Sequence, residues 1–264
     1  MLDVVKKSEW YAKFRSSNRE FNRGVPKPFV NNAEEGYLIQ TLVLEKLGWN
    51  VGGWKLGGTN KFTRERFCCN KAYFGPIEKN HIFFAEEYKN PILHVDTLQG
   101  EPEIAFRVKK TINRRSFIQS PCEVLKYFDY FAPALECPVS GISPHNYVNL
   151  GDLLADLCGS GYLIIGRQLE LTMLSSAIDT VVNVRQNDKV ISSGTTSEII
   201  GTVINSLVDF FDTAVSIGVE IEVGQWIATG GCAPCSIILP NREVIVDFEG
   251  LDPFGFEFTD ALVG

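Results

Sequence analysis

Two acidic residues two positions apart, Glu101 and Glu103, are the first residues of this sequence that could perform chemistry. Residues two apart in a strand point to the same face, so both carboxylates would lie side by side, with Ile104, Phe106 and Val108 on the opposite face. Adjacent carboxylates repel each other unless a cation lies between them, and oxygen ligands suit Mg²⁺ or Mn²⁺ better than zinc. The pair is therefore either part of a divalent-metal site or the solvated face of a strand.

A third acid, Glu136, follows the apolar run Phe131-Ala-Pro-Ala-Leu. Acidic side chains are almost never fully buried without a partner. Two partners would explain an acid in this setting: a metal ion that it shares with the first pair, or a lysine or arginine in an ion pair.

A glycine-rich stretch, Gly52-Gly-Trp-Lys-Leu-Gly-Gly-Thr59, contains a single lysine, Lys55. Glycine allows a ligand to approach the backbone closely, and lysine supplies a cation for an anionic substrate. The alternative is a glycine-rich turn with a lysine on the surface.

Cysteine and histidine form no zinc or disulfide pattern. Cys232 and Cys235 have the spacing of a redox pair, but the apolar run 237–239 that follows predicts a loop entering a short strand. The seven cysteines are odd in number and too few for a disulfide scaffold, which predicts reduced thiols in the cytoplasm. The histidines are expected to be structural or on the surface: His81, His94 and His145.

Composition excludes several classes of protein. The 264 residues include 18 Phe and 8 Tyr, so the chain has ample apolar surface for a folded core. The net charge of −7, without a basic stripe, argues against nucleic-acid partners. No apolar run reaches 18 residues, and the first residues lack a secretory signal, so we predict a cytoplasmic protein without a membrane span.

Helix signals occur near the beginning of the chain. A helix is predicted over Ala33–Leu47, because Asn31 or Asn32 can cap its first turn and Gly48 can end it. A shorter helix is expected at Ser8–Ser16. We therefore predict a helical N-terminal part, 1–50, followed by a β-rich catalytic domain, 51–264.

A longer helix is predicted over Thr196–Val215. Thr195 and Glu198 have the spacing of a capping box, and apolar residues recur at three and four positions from Ile200 to Phe211. This apolar face is expected to pack into the core.

Period-two patterns predict most of the remaining elements as strands. They do not alternate regularly with helices, which favours an α+β fold over a doubly wound sheet. Pro102 cannot donate a ladder hydrogen bond, so its strand should begin at an edge or before pairing begins. Nucleotide-binding glycine motifs are missing. The predicted strands are 51–56, 103–108, 162–165, 181–185, 190–192, 225–229, 236–239, 243–248 and 254–258.

Several short motifs occur in an order and spacing that match one known family. They are Tyr37-Leu-Ile-Gln40, Gly52-Gly-Trp-Lys55-Leu-Gly-Gly-Thr59, Tyr73-Phe-Gly75, Glu101-Pro-Glu103-Ile-Ala-Phe, Pro133-Ala-Leu-Glu136, Ala155-Asp156 with Gly161 and Gly166, Ser192-Ser-Gly194 and Thr229-Gly230. Over about residues 33–260 the chain resembles the 2-keto-4-pentenoate hydratase and 4-oxalocrotonate decarboxylase group of the fumarylacetoacetate hydrolase superfamily.

The resemblance implies a mixed β-roll wrapped by helices, and a homo-oligomer that acts on a small 2-oxo acid. It implies that Glu101, Glu103 and Glu136 hold Mg²⁺ or Mn²⁺, which would chelate the 2-oxo and carboxylate oxygens of the substrate and stabilise the enolate. Lys55 matches the active-site lysine of the family, expected to bind the substrate carboxylate or assist proton transfer. The expected activity is that of a metal-dependent lyase, hydratase-like or decarboxylase-like.

The resemblance also implies which residues contact the substrate. They are expected to be Gly57, Asp156, Ser160 and Thr229.

The chain departs from the hydratase pattern at Tyr73, where hydratases carry an Asp just before Phe-Gly. That Asp is thought to handle protons or water, so we predict that Tyr73 decides the reaction and that hydration is weak. The alternative is that Tyr73 is a wall aromatic packed on Phe74. The Ala-Asp-Asn-Ala-Ser pattern is also altered, at 155–159.

Two other functions compete with the lyase. One is a hydrolase of the wider superfamily that cleaves a C–C bond in an acylpyruvate, which would need a histidine and a glutamate to activate water. The other is a degenerate member that only binds a small ligand, which the changes at Tyr73 and Leu157 would favour.

Overall fold

The helices begin and end where capping residues allow. The computed structural model describes residues 2–16, 26–87, 92–94, 98–142 and 147–260; His145 lies outside them. The α-helices of the described part are α1 (Leu2–Ser16), α2 (Ala33–Leu47), α3 (Lys61–Phe67), α4 (Leu150–Ala155) and α5 (Val203–Ile217). Short 3₁₀ helices lie at Lys79–His81, Pro121–Tyr127, Leu157–Gly159, Leu171–Ala177 and Thr196–Glu198.

The predicted bounds of α2 are confirmed. The side chain of Asn32 accepts a hydrogen bond from the backbone N–H of Glu35 at 3.0 Å, and Gly48 ends the helix with a φ of 63°. α1 begins earlier than the predicted Ser8. Its added turns are stabilised by Lys7, which lies 2.8 Å from Asp3 and 2.7 Å from Glu35 on α2.

The long helix predicted from Thr196 begins later, at Val203, so that part of the prediction was wrong. The capping-box segment forms only a short 3₁₀ turn. Gly201 then adopts a left-handed φ of 80°, and the side chain of Thr202 accepts the N–H of Ile204 at 3.2 Å, which starts the helix afresh. The predicted core packing of α5 is confirmed, because Leu207, Phe210, Phe211 and Ala214 are buried.

Mixed β-structure fills the rest of the described chain, as the α+β prediction required. Asn187 and Asp188 form a hairpin turn, with both residues at positive φ. The strands are β1 (Val51–Gly57), β2 (Tyr73–Glu78), β3 (Ile82–Phe84), β4 (Ile92–His94), β5 (Leu98–Val108), β6 (Phe128–Cys137), β7 (Tyr162–Ile165), β8 (Leu169–Glu170), β9 (Val181–Gln186), β10 (Lys189–Thr195), β11 (Trp226–Ala228), β12 (Ser236–Ile238), β13 (Val244–Phe248), β14 (Phe254–Phe256) and β15 (Phe258–Asp260).

The main sheet places β5 at its centre. Its order is β2-β1-β11-β5-β6-β7-β3, with β12 also paired to β5 and β8 to β6. β1 pairs with β11 and β3 with β7 in parallel, while the other pairs of this sheet are antiparallel. A second sheet has the order β10-β9-β13-β14, and β15 pairs with β4.

The expectation that Pro102 lies at a strand edge or before pairing begins was wrong. β5 starts at Leu98, and Pro102 is paired in register with Leu135 of β6. The proline is tolerated because the ladder with β11 reaches only to Ala105, so a loop faces Pro102 on that side. The N–H of Cys232 in this loop donates to the Pro102 carbonyl at 2.8 Å.

Helical packing covers one side of the sheet near β2. α1, α2 and α4 share a buried apolar cluster with Tyr73 and with the turn at Leu157–Gly159. Gly75 of β2 fits directly under this turn, since a Cβ atom there would lie 2.4 Å from the Leu157 carbonyl oxygen and 2.6 Å from the Cβ of Cys158. Close packing of β2 against this turn therefore requires glycine at position 75.

We predict that Gly75→Ala destabilises the protein by about 1–3 kcal/mol, because the added methyl group meets backbone that cannot move independently. Gly255→Ala is the matched control, since the nearest atom to its Cβ is the mobile Glu243 Oε1 at 3.1 Å. The control should remain within about 1 kcal/mol of the wild type. Urea unfolding measures both variants, and equal midpoints would contradict the packing argument.

Candidate active site

Three carboxylates converge on one face of the central sheet. Glu101 pairs with Glu136 across β5 and β6, and Glu103 follows two residues later, so the same-face prediction is confirmed. One carboxylate oxygen from each residue lies within 4.8 Å of the others. Glu103 and Glu136 are buried, while Glu101 is partly exposed. The solvated-face alternative therefore does not describe this cluster.

Glycines after β11 bring backbone against the carboxylates. The N–H of Gly230 donates to Glu103 Oε2 at 2.8 Å, with Gly230 at a φ of 104°. A Cβ atom on Gly231 would lie 2.6 Å from Glu101 Oε2, so a side chain there would displace this carboxylate. The Thr229-Gly230 motif thus fixes one carboxylate of the cluster through a backbone donor.

Lys55 of β1 is the cation of the cluster. Its Nζ lies 2.9 Å from Glu136 Oε2, and its side chain is only 12% exposed. The sequence allowed either a metal ion or a basic side chain as the partner of Glu136, and in the structure Lys55 forms an ion pair with it. The other oxygen, Glu136 Oε1, is buried without a hydrogen-bond partner among the described residues. A buried acceptor in this state is costly, and a bound cation would satisfy it.

The electrostatics of the cluster favour an additional positive charge. Burial raises the pKa of Glu103 and Glu136, and Glu101 raises both further, while Lys55 opposes the shift. Burial by itself lowers the pKa of Lys55, but the surrounding carboxylates raise it above its ordinary value, so the lysine stays charged. One lysine cannot neutralise three carboxylates. The all-oxygen donor set and the unpartnered oxygen therefore fit Mg²⁺ or Mn²⁺.

A cavity of about 810 Å³ opens beside the cluster. Of the residues that the sequence singled out, Lys55, Gly57, Tyr73 and Glu101 lie in its wall. Apolar and polar side chains share the remainder of the wall, as is usual for sites that bind small molecules. Among them are Asn60, Phe62, Thr63, Arg66, Phe67, Gln99, Ser140, Ile142, Tyr147, Leu153, Cys158 and Cys235.

Tyr73 is a wall aromatic, but it does not pack on Phe74. Its ring lies over Gly57, where a Cβ atom would be 2.3 Å from the ring, and it meets Phe67 edge-on at 5.9 Å. Phe74 instead packs edge-on against Phe210. Burial raises the pKa of Tyr73 well above its ordinary value, so its hydroxyl is a donor and not a base near neutral pH.

Three of the expected substrate-binding residues lie outside the cavity wall. Thr229 is buried, and its hydroxyl donates to the Ile104 carbonyl at 2.7 Å. Ser160 is buried beneath the wall, and its carbonyl accepts a hydrogen bond from Arg15. Asp156 is fully buried as well. These three residues therefore lie behind the cavity wall and do not form part of it.

Asp156 fixes a loop that forms part of the wall. Its Oδ2 accepts hydrogen bonds from the N–H groups of Gly141 (2.8 Å) and Ile142 (3.2 Å) and from the Tyr147 hydroxyl (2.6 Å). Arg15 of α1 lies 3.5 Å from its other oxygen. Burial raises the pKa of Asp156, and these partners oppose the rise. Asp156 therefore holds the cavity wall in place from behind.

Sequence reasoning missed α3, which supplies one side of the cavity. The helix is short and has no buried residue, so it lacks the apolar periodicity by which helices are recognised. Asn60, whose side chain accepts the N–H of Thr63 at 2.9 Å, was the only available signal.

The loop reading of Cys232 and Cys235 is confirmed, since they precede β12 and all cysteines in the described part are free. Cys232 is buried. Cys235 was not predicted to reach the cavity, yet it lies in the wall. Its side chain is exposed there.

His81 lies away from the cavity wall, with its ring 4.8 Å from that of Tyr162 and 5.9 Å from that of Trp49. Over the residues described, none of the helices combines the length and the apolar character needed to cross a membrane.

Comparison with known proteins shows what the chain is similar to. No family model matches it. It is 23% identical over 133 residues to 2-keto-4-pentenoate hydratase 2 of Dechloromonas aromatica (strain RCB), covering 49% of this chain and about half, 49%, of the hydratase. It is 22% identical over 207 residues to a 4-oxalocrotonate decarboxylase of a Pseudomonas species, covering 78% of each.

Solved structures agree with these similarities. The 4-oxalocrotonate decarboxylase of Pseudomonas putida G7, complexed with magnesium and adipate, has a TM-score of 0.78 at 18% identity and covers 97% of both chains. A fumarylpyruvate hydrolase of Pseudomonas aeruginosa, in complex with Mn²⁺ and pyruvate, has a TM-score of 0.59 at 9% identity, covering 78% of this chain and 88% of the other. The chain has the fumarylacetoacetate hydrolase fold, and the resemblance found in its motifs is confirmed.

We predict that Asp156→Asn destabilises the protein by about 3–5 kcal/mol, because it breaks a buried ion pair and places an amide where three donors converge. Asp252→Asn is the control, since its ion pair with Arg167 lies on the surface and is worth about 0–1 kcal/mol. Urea unfolding reports both changes. An Asp156→Asn midpoint equal to that of the control would remove Asp156 from the support of the wall.

Proposed function

We propose that this protein is a divalent-metal-dependent lyase that acts on a 2-oxo acid. The observation that carries the proposal is the convergence of Glu101, Glu103 and Glu136 beside Lys55, next to a cavity large enough for a small molecule. The similarity to a hydratase and a decarboxylase supports the same class of reaction. So do the magnesium–adipate and Mn²⁺–pyruvate complexes of the two solved structures.

The three glutamates would hold Mg²⁺ or Mn²⁺. When bound, such an ion supplies Lewis-acid chemistry by stabilising negative charge that develops on the 2-oxo oxygen of a substrate. Lys55 contributes a fixed positive charge next to Glu136, which attracts the substrate carboxylate. Its raised pKa keeps it protonated at neutral pH. Gly57 has no side chain, which allows the ring of Tyr73 to lie directly against the backbone of β1 two residues after the lysine.

The cavity wall favours decarboxylation or enolisation over hydration. Hydration needs a group that positions water and moves protons at the far end of a conjugated substrate. The carboxylate that hydratases place there is replaced by Tyr73, which can donate a hydrogen bond but cannot act as a base near neutral pH. Decarboxylation needs no such group, because the C–C bond to the leaving carboxyl breaks and its electron pair passes into the conjugated 2-oxo system.

The competing functions receive less support. A hydrolase would need a histidine beside the cavity, and of the three histidines the one whose side chain the structure describes, His81, lies against Trp49 and Tyr162 instead. A member that only binds a ligand would keep the cavity and lose turnover, which the assay below distinguishes. The proposed form of the protein is a homo-oligomer, on the family resemblance alone, and the proposed location is the cytoplasm, on the free thiols.

We predict that Mg²⁺ or Mn²⁺ stabilises the protein, by about 2.7 kcal/mol at roughly 100 times Kd. Glu103→Gln should abolish this gain and leave the metal-free protein equally or more stable, because it removes one of three mutually repelling charges. Thermal unfolding with and without each ion provides the measurement. Glu249→Gln is the control, since Glu249 is exposed.

The metal prediction fails if the melting temperature of the wild type is indifferent to both ions at millimolar concentration. It also fails if Glu103→Gln responds to the ions as strongly as Glu249→Gln does.

We predict that the wild type consumes 2-hydroxypentadienoate slowly in the presence of Mn²⁺ and decarboxylates 4-oxalocrotonate faster. Tyr73→Asp should gain hydration, because a correctly placed carboxylate contributes about 10²–10⁴-fold by acid–base catalysis. The dienoate absorbance measures hydration, and the melting temperature shows that the variant is folded. Tyr73→Phe is the control and should not gain hydration.

Hydration by the wild type at many turnovers per second would contradict the role of Tyr73. Failure to turn over any member of a panel of 2-oxo acids, with the metal bound, would favour the ligand-binding alternative.

A further inference from the structure

The loop between β11 and β12, residues 229–235, touches two of the three carboxylates through its backbone. The N–H of Gly230 donates to Glu103 at 2.8 Å. Gly231 approaches Glu101 so closely that a Cβ atom would lie 2.6 Å from its Oε2. The position of this loop therefore affects the orientation of both glutamates.

The second sheet attaches to the same loop through β10. Ser192 donates its hydroxyl to the Pro234 carbonyl at 2.6 Å, and only 7% of this serine is exposed. Gly194 lies under the bend at Cys232 and Ala233, since a Cβ atom at position 194 would lie 2.8 Å from the Cα of Ala233 and closer still to the Cys232 carbonyl oxygen. Position 194 belongs to an ordinary strand, so the glycine is needed there for space.

The Ser192-Ser-Gly194 motif of the sequence accounts for this attachment. Residues two apart in a strand face the same way, so Ser192 and Gly194 both face the loop, while Ser193 points away and is exposed. The cavity wall includes none of the three. Any effect of the motif on the site therefore passes through the loop.

A further attachment lies just beyond β12. The buried side chain of Gln186 on β9 accepts the N–H of Leu239 at 3.0 Å and donates to the Leu239 carbonyl at 2.8 Å. β12 itself pairs with β5. Because β12 is fixed to both sheets, a displacement of the loop cannot be absorbed by a shift of β12 and is transmitted toward Gly230.

We propose that Ser192 and Gly194 are positioning residues of the carboxylate cluster. By fixing the 229–235 loop, the second sheet sets the orientation of Glu103 through the Gly230 N–H, and with it the affinity of the cluster for Mg²⁺ or Mn²⁺. Hydrogen-bond partners of metal ligands orient those ligands, and their loss costs about 10–100-fold in metal affinity. This inference rests on the proposed metal-dependent function and adds the part of the fold that tunes its metal site.

The test measures the dissociation constant of Mn²⁺, from the electron paramagnetic resonance signal of the free ion in titrations of the folded protein. Gly194→Ala should bind Mn²⁺ about 10–100-fold more weakly than the wild type, because the added methyl group meets the backbone of the loop and displaces it. Gly255→Ala is the matched control. It makes the same substitution in the same sheet, next to the mobile side chain of Glu243, and should keep the wild-type constant.

Ser192→Ala is a second, milder variant. Loss of one hydrogen bond to the loop should weaken Mn²⁺ binding by about three- to tenfold. Ser193→Ala is its control, because it removes an exposed hydroxyl from the same strand and should bind Mn²⁺ as the wild type does. Melting temperatures without the ion show which variants fold. A purely structural role would lower these temperatures and leave the Mn²⁺ constant of the folded protein unchanged.

Wild-type Mn²⁺ affinity in Ser192→Ala would overturn the inference and leave the proposed function intact. So would a loss of affinity in Gly194→Ala no larger than that in Gly255→Ala. If Gly194→Ala does not fold, the comparison of Ser192→Ala with Ser193→Ala decides. A wild type that binds neither Mn²⁺ nor Mg²⁺ would overturn the proposed function and this inference with it.

Discussion

The burial of Glu103 and Glu136 next to Glu101 is the constraint on which the rest of the site depends. Taking carboxylates out of water is expensive, and breaking a buried pair leaves a charge that the interior cannot solvate. Lys55 compensates for part of this cost through Glu136, and the Gly230 N–H does so through Glu103. What remains uncompensated is negative charge, and this remainder is what makes the protein a candidate for binding a divalent ion.

The three carboxylates meet only if β5 and β6 pair in one particular register. Glu101 lies opposite Glu136 only because β5 and β6 pair as they do, and a slip by one residue would turn the acids of one strand to the other face. The mid-strand Pro102 is compatible with this register because a loop, not a strand, faces it. The same loop carries Gly230, so the segment that accommodates the proline also delivers a backbone donor to a carboxylate.

Much of this site was predictable from local patterns, and the remainder depends on contacts between distant residues. Period two placed Glu101 and Glu103 on one face, and the asparagine cap and Gly48 fixed α2. No sequence pattern around Asp156 indicated that it would accept hydrogen bonds from a loop and pair with Arg15 of α1. These partners come from other segments of the chain. α3 was missed because a short helix without buried residues has no apolar periodicity. The start of α5 was misplaced because Gly201 interrupts the helix after a plausible capping box.

The exposure of α3 has a consequence for how such a cavity can diversify. Residues on its cavity face form part of the wall but carry little of the folding free energy, since the helix buries none of its side chains. The carboxylate cluster, by contrast, is tied to strand register and cannot vary alone. Substitutions on this face would therefore change the wall of the cavity at little cost in stability, while the carboxylate cluster stays fixed.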